Sequence, residues 1–278
     1  MSRTMSDQHC VFGGKFHMKV VILCGGVGSR LKEETESRPK PMVEIGEYPI
    51  LWHIMKHYAH FGFTEFVLAL GYKSEMIKEF FLQFQYRTHD FTITTGMNPS
   101  VTVHETNGDH EDWKITLVDT GLNTLKGGRM KRIERFLGDD ERFMMTYGDG
   151  VCSVNLQHLL DYHQSHGKKV TLTGVIPSMR FGEVVARDDG SVHFREKNPS
   201  QAAMVNGGYY VIERDVLNLL SEDESQDFEY GPLEDLSDQG EVMMKRHEDF
   251  WHCMDNIRDM NALQGMWESG DAPWKLWS

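Results

Sequence analysis

Cysteine is scarce in this chain, with four residues in 278, at Cys10, Cys24, Cys152 and Cys253. They lie far apart and contain no C-x-x-C pair. That spacing supplies neither a zinc ribbon nor a disulfide frame, and it reads as reduced thiols in a cytoplasmic protein. Long apolar runs are missing too. None approaches the ~20 residues that a bilayer span requires, so no membrane partner is expected. Positive charge is in deficit, 29 Lys and Arg against 42 Asp and Glu for a formal net charge of −13. Such a balance repels a phosphodiester backbone and argues against nucleic acid as a partner. The H-E-x-x-H of zinc proteases is absent: His53 and His57 have the i, i+4 spacing without the glutamate, and read as helix-surface residues rather than zinc ligands. Neither the P-loop G-x-x-x-x-G-K-[ST] nor the dinucleotide G-x-G-x-x-G occurs. Residues 1–17 lack the apolar stretch of a signal peptide and read as a mobile extension, leaving 18–278 as a single domain.

What is present is concentrated between Met18 and Met42. Val20-Val21-Ile22-Leu23 has the length and β-branching of a buried strand. It runs into Gly25-Gly26-Val27-Gly28-Ser29-Arg30. Glycines there allow main-chain N–H groups to turn toward an anion, and Arg30 adds a planar, permanently charged fork. Lys40 follows between Pro39 and Pro41, which restrict the backbone on both sides of it. A glycine-rich turn alone is often only a turn. Strand, glycine loop, arginine and proline-framed lysine together point to a nucleoside triphosphate.

Beyond this segment strands and helices alternate, which predicts an α/β fold: a Rossmann-like open, mostly parallel mixed sheet flanked by helices, with an insertion around the later strands. Helices are expected at 49–61, from Ser74 through Phe81, and at 127–137, 155–166, 214–220, 231–239 and 256–268. Strands are expected at 65–70, 91–95, 101–104, 115–119, 142–147, 169–176, 183–187, 192–195 and 208–213. Ligands in such sheets bind outside the carboxyl ends of the strands. The glycine loop and Gly148-Asp149-Gly150 both sit at such ends and could face one cleft.

The pattern Gly25-Gly26-Val27-Gly28-Ser29-Arg30-Leu31 with Pro39-Lys40-Pro41 resembles the signature of the sugar-1-phosphate nucleotidylyltransferases. Leu117-Val118-Asp119-Thr120-Gly121, Gly127-Gly128-Arg129, Tyr147-Gly148-Asp149-Gly150, Asn206-Gly207-Gly208, Met254-Asp255 and Ala272-Pro273-Trp274-Lys275 are similar to the branch that uses CTP and glucose 1-phosphate. The resemblance runs from about Met18 onward. It implies attack of the sugar phosphate on the α-phosphorus of CTP, which needs positioning and charge stabilisation more than a strong base.

By that resemblance Arg30 and Lys40 are the catalytic cations. Leu23, Cys24, Gly25, Gly26, Val27, Gly28 and Ser29, with Thr124, Arg129 and Gly148, hold the nucleotide. Asp149 and Asp255 bind Mg²⁺, and Gly182, Glu196, Lys197, Asn206 and Gly207 hold the sugar phosphate. Here Asn198 separates Lys197 from Pro199, a departure from the common pattern. The resemblance also implies a homo-oligomer.

Each assignment has a plainer counterpart. Asp149 could serve an Asx turn, Asp255 a helix cap, and Arg129 an exposed helix face. Trp267, Trp274 and Trp277 are read as packing a tail or a subunit contact rather than stacking on a base. Preference for UTP or dTTP, and a non-catalytic nucleotide-sugar sensor on the same fold, are the alternatives.

Overall fold

The computed structural model describes residues 16–104, 111–177, 183–186, 191–195 and 203–277. The apolar run at Val20 lies within a longer strand, β1 (Phe16–Cys24). Side chains alternate across a strand, and here both sides are dry. Val20, Ile22 and Cys24 join one core with Ile50, Ile54 and Tyr58 of α1 (Ile50–His60). Val21 and Leu23 join the other, with Met130, Phe143 and Met145. A strand buried on both faces has no polar positions to spare, which is why its sequence is a continuous apolar run.

The remaining sheet strands are β2 (Phe63–Leu70), β3 (Lys114–Asp119), β4 (Arg142–Tyr147), β5 (Val170–Val175), β6 (Val205–Glu213) and β7 (Val242–His247). Their spatial order is β7-β5-β6-β4-β1-β2-β3. All pairings are parallel except those of β6, which runs against β4 and β5. The principal helices are α1, α2 (Ser74–Leu82), α3 (Lys126–Arg132), α4 (Leu156–His166) and α5 (Ile257–Glu268). The expected mostly parallel α/β sheet is therefore present.

Topology fixes where a ligand can bind. From β1 the chain moves outward through β2 and β3, then returns to place β4 on the other side of β1. Strand order reverses between β1 and β4, and the crevice at the carboxyl ends of two such strands is left open by the diverging connections. Cys24 and Tyr147 end these strands side by side. The main chain is tied across the gap where Gly148 N–H donates to Leu23 O at 3.1 Å. Because β6 runs backwards, its beginning, at Asn206 and Gly207, comes to the same end of the sheet.

Several expectations shift in detail. The 127–137 helix divides into α3 and a 3₁₀ turn at Glu134–Phe136, and 214–220 is a 3₁₀ helix at Arg214–Leu219. In the 231–239 segment Gly231 leaves helical backbone, and α-helix forms only at Glu234–Asp238. The runs at 91–95 and 101–104 pair as an outlying ribbon, Phe91–Thr94 with Ser100–Val103, and Glu183–Ala186 pairs with Val192–Arg195. Strand β7 and the short pairing of Gly150–Cys152 with Trp251–Cys253 were not anticipated.

The two histidines of α1 are a clear correction. His53 and His57 are fully buried, not on the surface: the C-terminal tryptophans cover His53, and His57 packs against Phe61, Tyr209 and Cys152. His53 Nε2 donates to Ile45 O at 2.8 Å, and Trp274 Nε1 donates to His53 Nδ1 at 3.4 Å. Trp274 is itself buried, and Trp267 meets the His53 ring edge-on at 4.6 Å between centroids. The tryptophans thus pack the C-terminal segment onto α1, as the tail-packing reading expected. Among the described residues no helix is long and apolar enough to cross a membrane, and Cys24, Cys152 and Cys253 are free thiols.

Candidate active site

The glycine loop leaves β1 at Cys24. Gly28 has φ +66°, a conformation that a side chain disfavours, and a Cβ there would press on Thr35 at 2.8 Å. Gly26 has open space where a Cβ would stand, so its backbone is free for close approach by a ligand. Gly25 is pinned from behind. Its carbonyl accepts from Arg129 Nη2 at 3.0 Å, and a Cβ would collide with that guanidinium.

Arg129 itself is buried, and its guanidinium is directed at main-chain oxygens. Nη1 donates to Leu70 O (2.9 Å), Gly121 O (2.8 Å) and Thr120 Oγ1 (2.7 Å). Burial, followed by the neighbouring Arg132 charge, pulls its pKa down from the usual arginine value. The side chain laces together the ends of β1, β2 and β3. Its carbonyl partners account for a buried cation that sequence alone left between a nucleotide contact and an exposed helix residue.

The cleft at the switch point holds about 560 Å³. Of the residues assigned to the nucleotide, Leu23, Cys24, Gly26, Gly28, Ser29, Arg30, Lys40, Thr124, Arg129 and Gly148 line it, while Gly25 and Val27 do not. Asp149, Asp255, Asn206 and Gly207 line it as well. Gly182, Glu196 and Lys197 lie outside the described residues.

At the floor, Lys40 Nζ donates to Asp149 Oδ2 and to Asp255 Oδ1, both at 2.8 Å. Arg30 Nη1 donates to Asp255 Oδ2 at 2.6 Å. The Lys40 side chain is only 9 % exposed whereas that of Arg30 is 75 % exposed. One cation is therefore fixed in the wall, and the other reaches in from the rim. Burial pushes the Lys40 ammonium down, but the charge of Asp149 and the hydrogen bonds to both carboxylates outweigh it, and its pKa lies above the ordinary lysine value. Burial alone would raise Asp255; the Lys40 hydrogen bond and charge, with help from Arg30, hold it below the usual aspartate value.

Asp255 is not the cap of α5. Asn256 is, accepting from Asp259 N at 3.1 Å in a reciprocal capping box. With the cap supplied one residue later, the Asp255 carboxylate is left to face the cleft. The Asp149 carboxylate meets Lys40 rather than folding back on its own turn. Cys253 stands beside the two aspartates, and one donor atom from each of the three lies within 4.8 Å of the others. Burial and then the Asp149 charge push the Cys253 thiol up. Two carboxylates suit a hard divalent cation such as Mg²⁺, and a protonated thiol does not add to that set.

Sequence reasoning missed a second polar group on the opposite wall. Tyr147 OH donates to Glu229 Oε1 and lies 3.2 Å from Tyr210 OH, while Asn206 Nδ2 donates to the same Glu229 oxygen at 3.2 Å. Lys126 Nζ donates to Glu229 Oε2 at 2.7 Å, and Trp251 Nε1 donates to Gly207 O at 2.7 Å. Glu229 sits in an irregular segment with no periodic signal. A lone glutamate between Phe228 and Tyr230 carries nothing in sequence to mark it.

The profile of the Nucleotidyl transferase family matches residues 19–268. Glucose-1-phosphate cytidylyltransferase of Salmonella typhimurium is 45% identical over 94% of this chain and 100% of its own length. D-glycero-alpha-D-manno-heptose 1-phosphate guanylyltransferase of Aneurinibacillus thermoaerophilus is 28% identical over 78% of this chain and 84% of its own. Among solved structures, HddC of Yersinia pseudotuberculosis complexed with GMP-PN superposes with a TM-score of 0.62 at 20% identity, covering 90% of this chain and 99% of that one. UDP-glucose pyrophosphorylase of Acinetobacter baumanii gives 0.64 at 16%, covering 89% and 92%. These superpositions speak to the fold. With the fold, the glycine loop and the full-length similarity in agreement, the chain belongs to the nucleotidyl transferase family and, within it, to the glucose-1-phosphate cytidylyltransferases.

Proposed function

We propose that this chain transfers CMP from CTP to glucose 1-phosphate, giving CDP-glucose and pyrophosphate. The observation that carries the reading is the full-length similarity to cytidylyltransferases, joined to a cleft that gathers Arg30, Lys40, Asp149 and Asp255 at the ends of β1 and β4. The nucleophile is a phosphate oxygen, already anionic at neutral pH. The protein's task is to hold two polyanions in line and to stabilise charge as the pyrophosphate leaves.

The glycine loop cradles the nucleotide through main-chain groups, and Arg129 keeps that loop in place from behind. Lys40, fixed in the wall, meets the α-phosphate. Arg30, at the rim and free to swing, meets the β- and γ-phosphates and follows the departing pyrophosphate. Asn206 and Gly207 supply the sugar side, together with Gly182, Glu196 and Lys197. Asp149 and Asp255 hold Mg²⁺, which when bound neutralises phosphate charge and polarises the α-phosphoryl group. We further propose that the enzyme works in the cytoplasm, in keeping with its free thiols. It also self-associates, in keeping with the exposed apolar side chains Phe91, Ile93 and Val101 on the outlying ribbon.

Pyrophosphate release from CTP, UTP, dTTP, ATP and GTP, each with glucose 1-phosphate and Mg²⁺, tests the reading. Sugar-dependent release with CTP supports it. Preference for another triphosphate keeps the chemistry and overturns the base, and no release with any of the five overturns catalysis in favour of a sensor.

A further inference from the structure

The two carboxylates proposed to hold the metal are the same two that hold the cations proposed to meet phosphate. Lys40 Nζ stands 2.8 Å from an oxygen of Asp149 and 2.8 Å from an oxygen of Asp255, and Arg30 takes the other Asp255 oxygen at 2.6 Å. A divalent cation needs these oxygens at roughly 2.1 Å. An ammonium bridging both carboxylates would then lie against a doubly charged ion, and the repulsion between them in this half-buried setting is large. Arg30 can withdraw into water. The Lys40 side chain, 9 % exposed, has to find another anion inside the cleft.

We infer that Lys40 is a counter-ion that competes with the divalent metal for Asp149 and Asp255, so that metal entry and the transfer of Lys40 to a phosphate are one exchange of partners. This deepens the proposed reading and rests on it for the metal-holding role of Asp149 and Asp255 and for the identity of the phosphate. The exchange makes metal and phosphate favour each other, and by linkage each tightens the other equally. It also keeps the centre electrically balanced in both arrangements, with no buried carboxylate or ammonium left unpaired.

The consequence runs against intuition: removing a residue assigned to catalysis improves binding of the metal. The test uses Mn²⁺ as probe, with its free-ion electron paramagnetic resonance signal read on the full chain without nucleotide. Lys40→Met and Lys40→Gln are expected to bind Mn²⁺ about tenfold more tightly than the unaltered chain, or better. Adding Asp149→Asn to either is expected to abolish the gain. In a second arm, CTP binding is measured in the presence of EDTA. Asp149→Asn frees Lys40 for phosphate and is expected to tighten metal-free CTP binding several-fold.

Unchanged or weaker Mn²⁺ affinity in both folded Lys40 variants overturns the exchange, as does unchanged metal-free CTP affinity in Asp149→Asn. Failure of the unaltered chain to bind or turn over CTP would defeat the functional reading instead. The Mn²⁺ arm would still decide whether Lys40 and the metal compete for the two carboxylates.

Discussion

At the scale of single residues, Lys40 and Arg129 are both buried cations in one cleft, yet their surroundings give them opposite tasks. Lys40 faces carboxylates and the space where phosphate would sit. Arg129 faces carbonyl oxygens that have no other use for a charge. Lys40→Ala is expected to lower kcat by about 10²–10³, the size of effect seen when a single charge-stabilising group is deleted, while the circular dichroism spectrum stays that of the folded chain. Arg129→Ala takes a donor from the Gly121 and Leu122 carbonyls and unties the strand ends, although Leu70 O keeps Thr120 and Gly25 O keeps the Tyr72 N–H. It is expected to cost on the order of 3 kcal/mol in urea denaturation, and to raise KM for the triphosphate through a slack glycine loop. Asp149→Asn is expected to raise the half-saturating Mg²⁺ concentration and lower kcat together; an unmoved Mg²⁺ titration would return Asp149 to a turn-forming role.

At the scale of elements, α5 shows how a cap can release a functional group. Asn256 and Asp259 satisfy the helix start between them, which leaves Asp255 unencumbered. Asn256→Ala is expected to cost about 1 kcal/mol of stability and, because it loosens the turn that aims Asp255, to weaken metal dependence as well. Parallel titrations of stability and of Mg²⁺ response would show both. The elements also show what sequence could and could not say. The strand before Gly25 was legible because burial on both faces leaves an uninterrupted apolar run. α1 was legible by period, but its histidines were misjudged, since periodicity marks one apolar stripe and cannot foresee that distant segments, the C-terminal tryptophans at His53 and Tyr209 with Cys152 at His57, close over the rest. Strand β7, Val242–His247, gave little signal because an edge strand with intermediate burial neither alternates cleanly nor runs apolar. The meeting of Lys40 with Asp255 was legible only by resemblance. No local rule links residues 215 apart in the chain.

At the scale of the whole molecule, the burial of α1 carries a pH dependence. Burial depresses His53 to about 4 and His57 to about 3, far below the usual histidine value. The His53 ring donates at Nε2 and accepts at Nδ1, an arrangement that only the neutral ring can make. The unfolded chain therefore takes up protons near pH 6.5 that the folded chain refuses. Stability from these two groups is fully present above pH 6.5 and falls as pH drops toward 4, by up to about 1.4 kcal/mol per pH unit for each histidine. Thermal melts between pH 7 and 4.5 are expected to show this slope, and His57→Gln to flatten it.

The same long-range closure that sequence could not reveal has a bearing on the chain's synthesis. The glycine loop and Lys40 leave the ribosome early, while Asp255, which balances both of their cations, arrives more than two hundred residues later. Until then the nascent chain carries the proposed phosphate-binding segment with Arg30 unmatched and Lys40 paired only with Asp149. Contacts of this sequence separation form late and slowly. A chain that stalls or is nicked before Asp255 would hold its glycine loop without the aspartate that balances Arg30 and Lys40, so the proposed site is complete only in a molecule whose distant segments have already met.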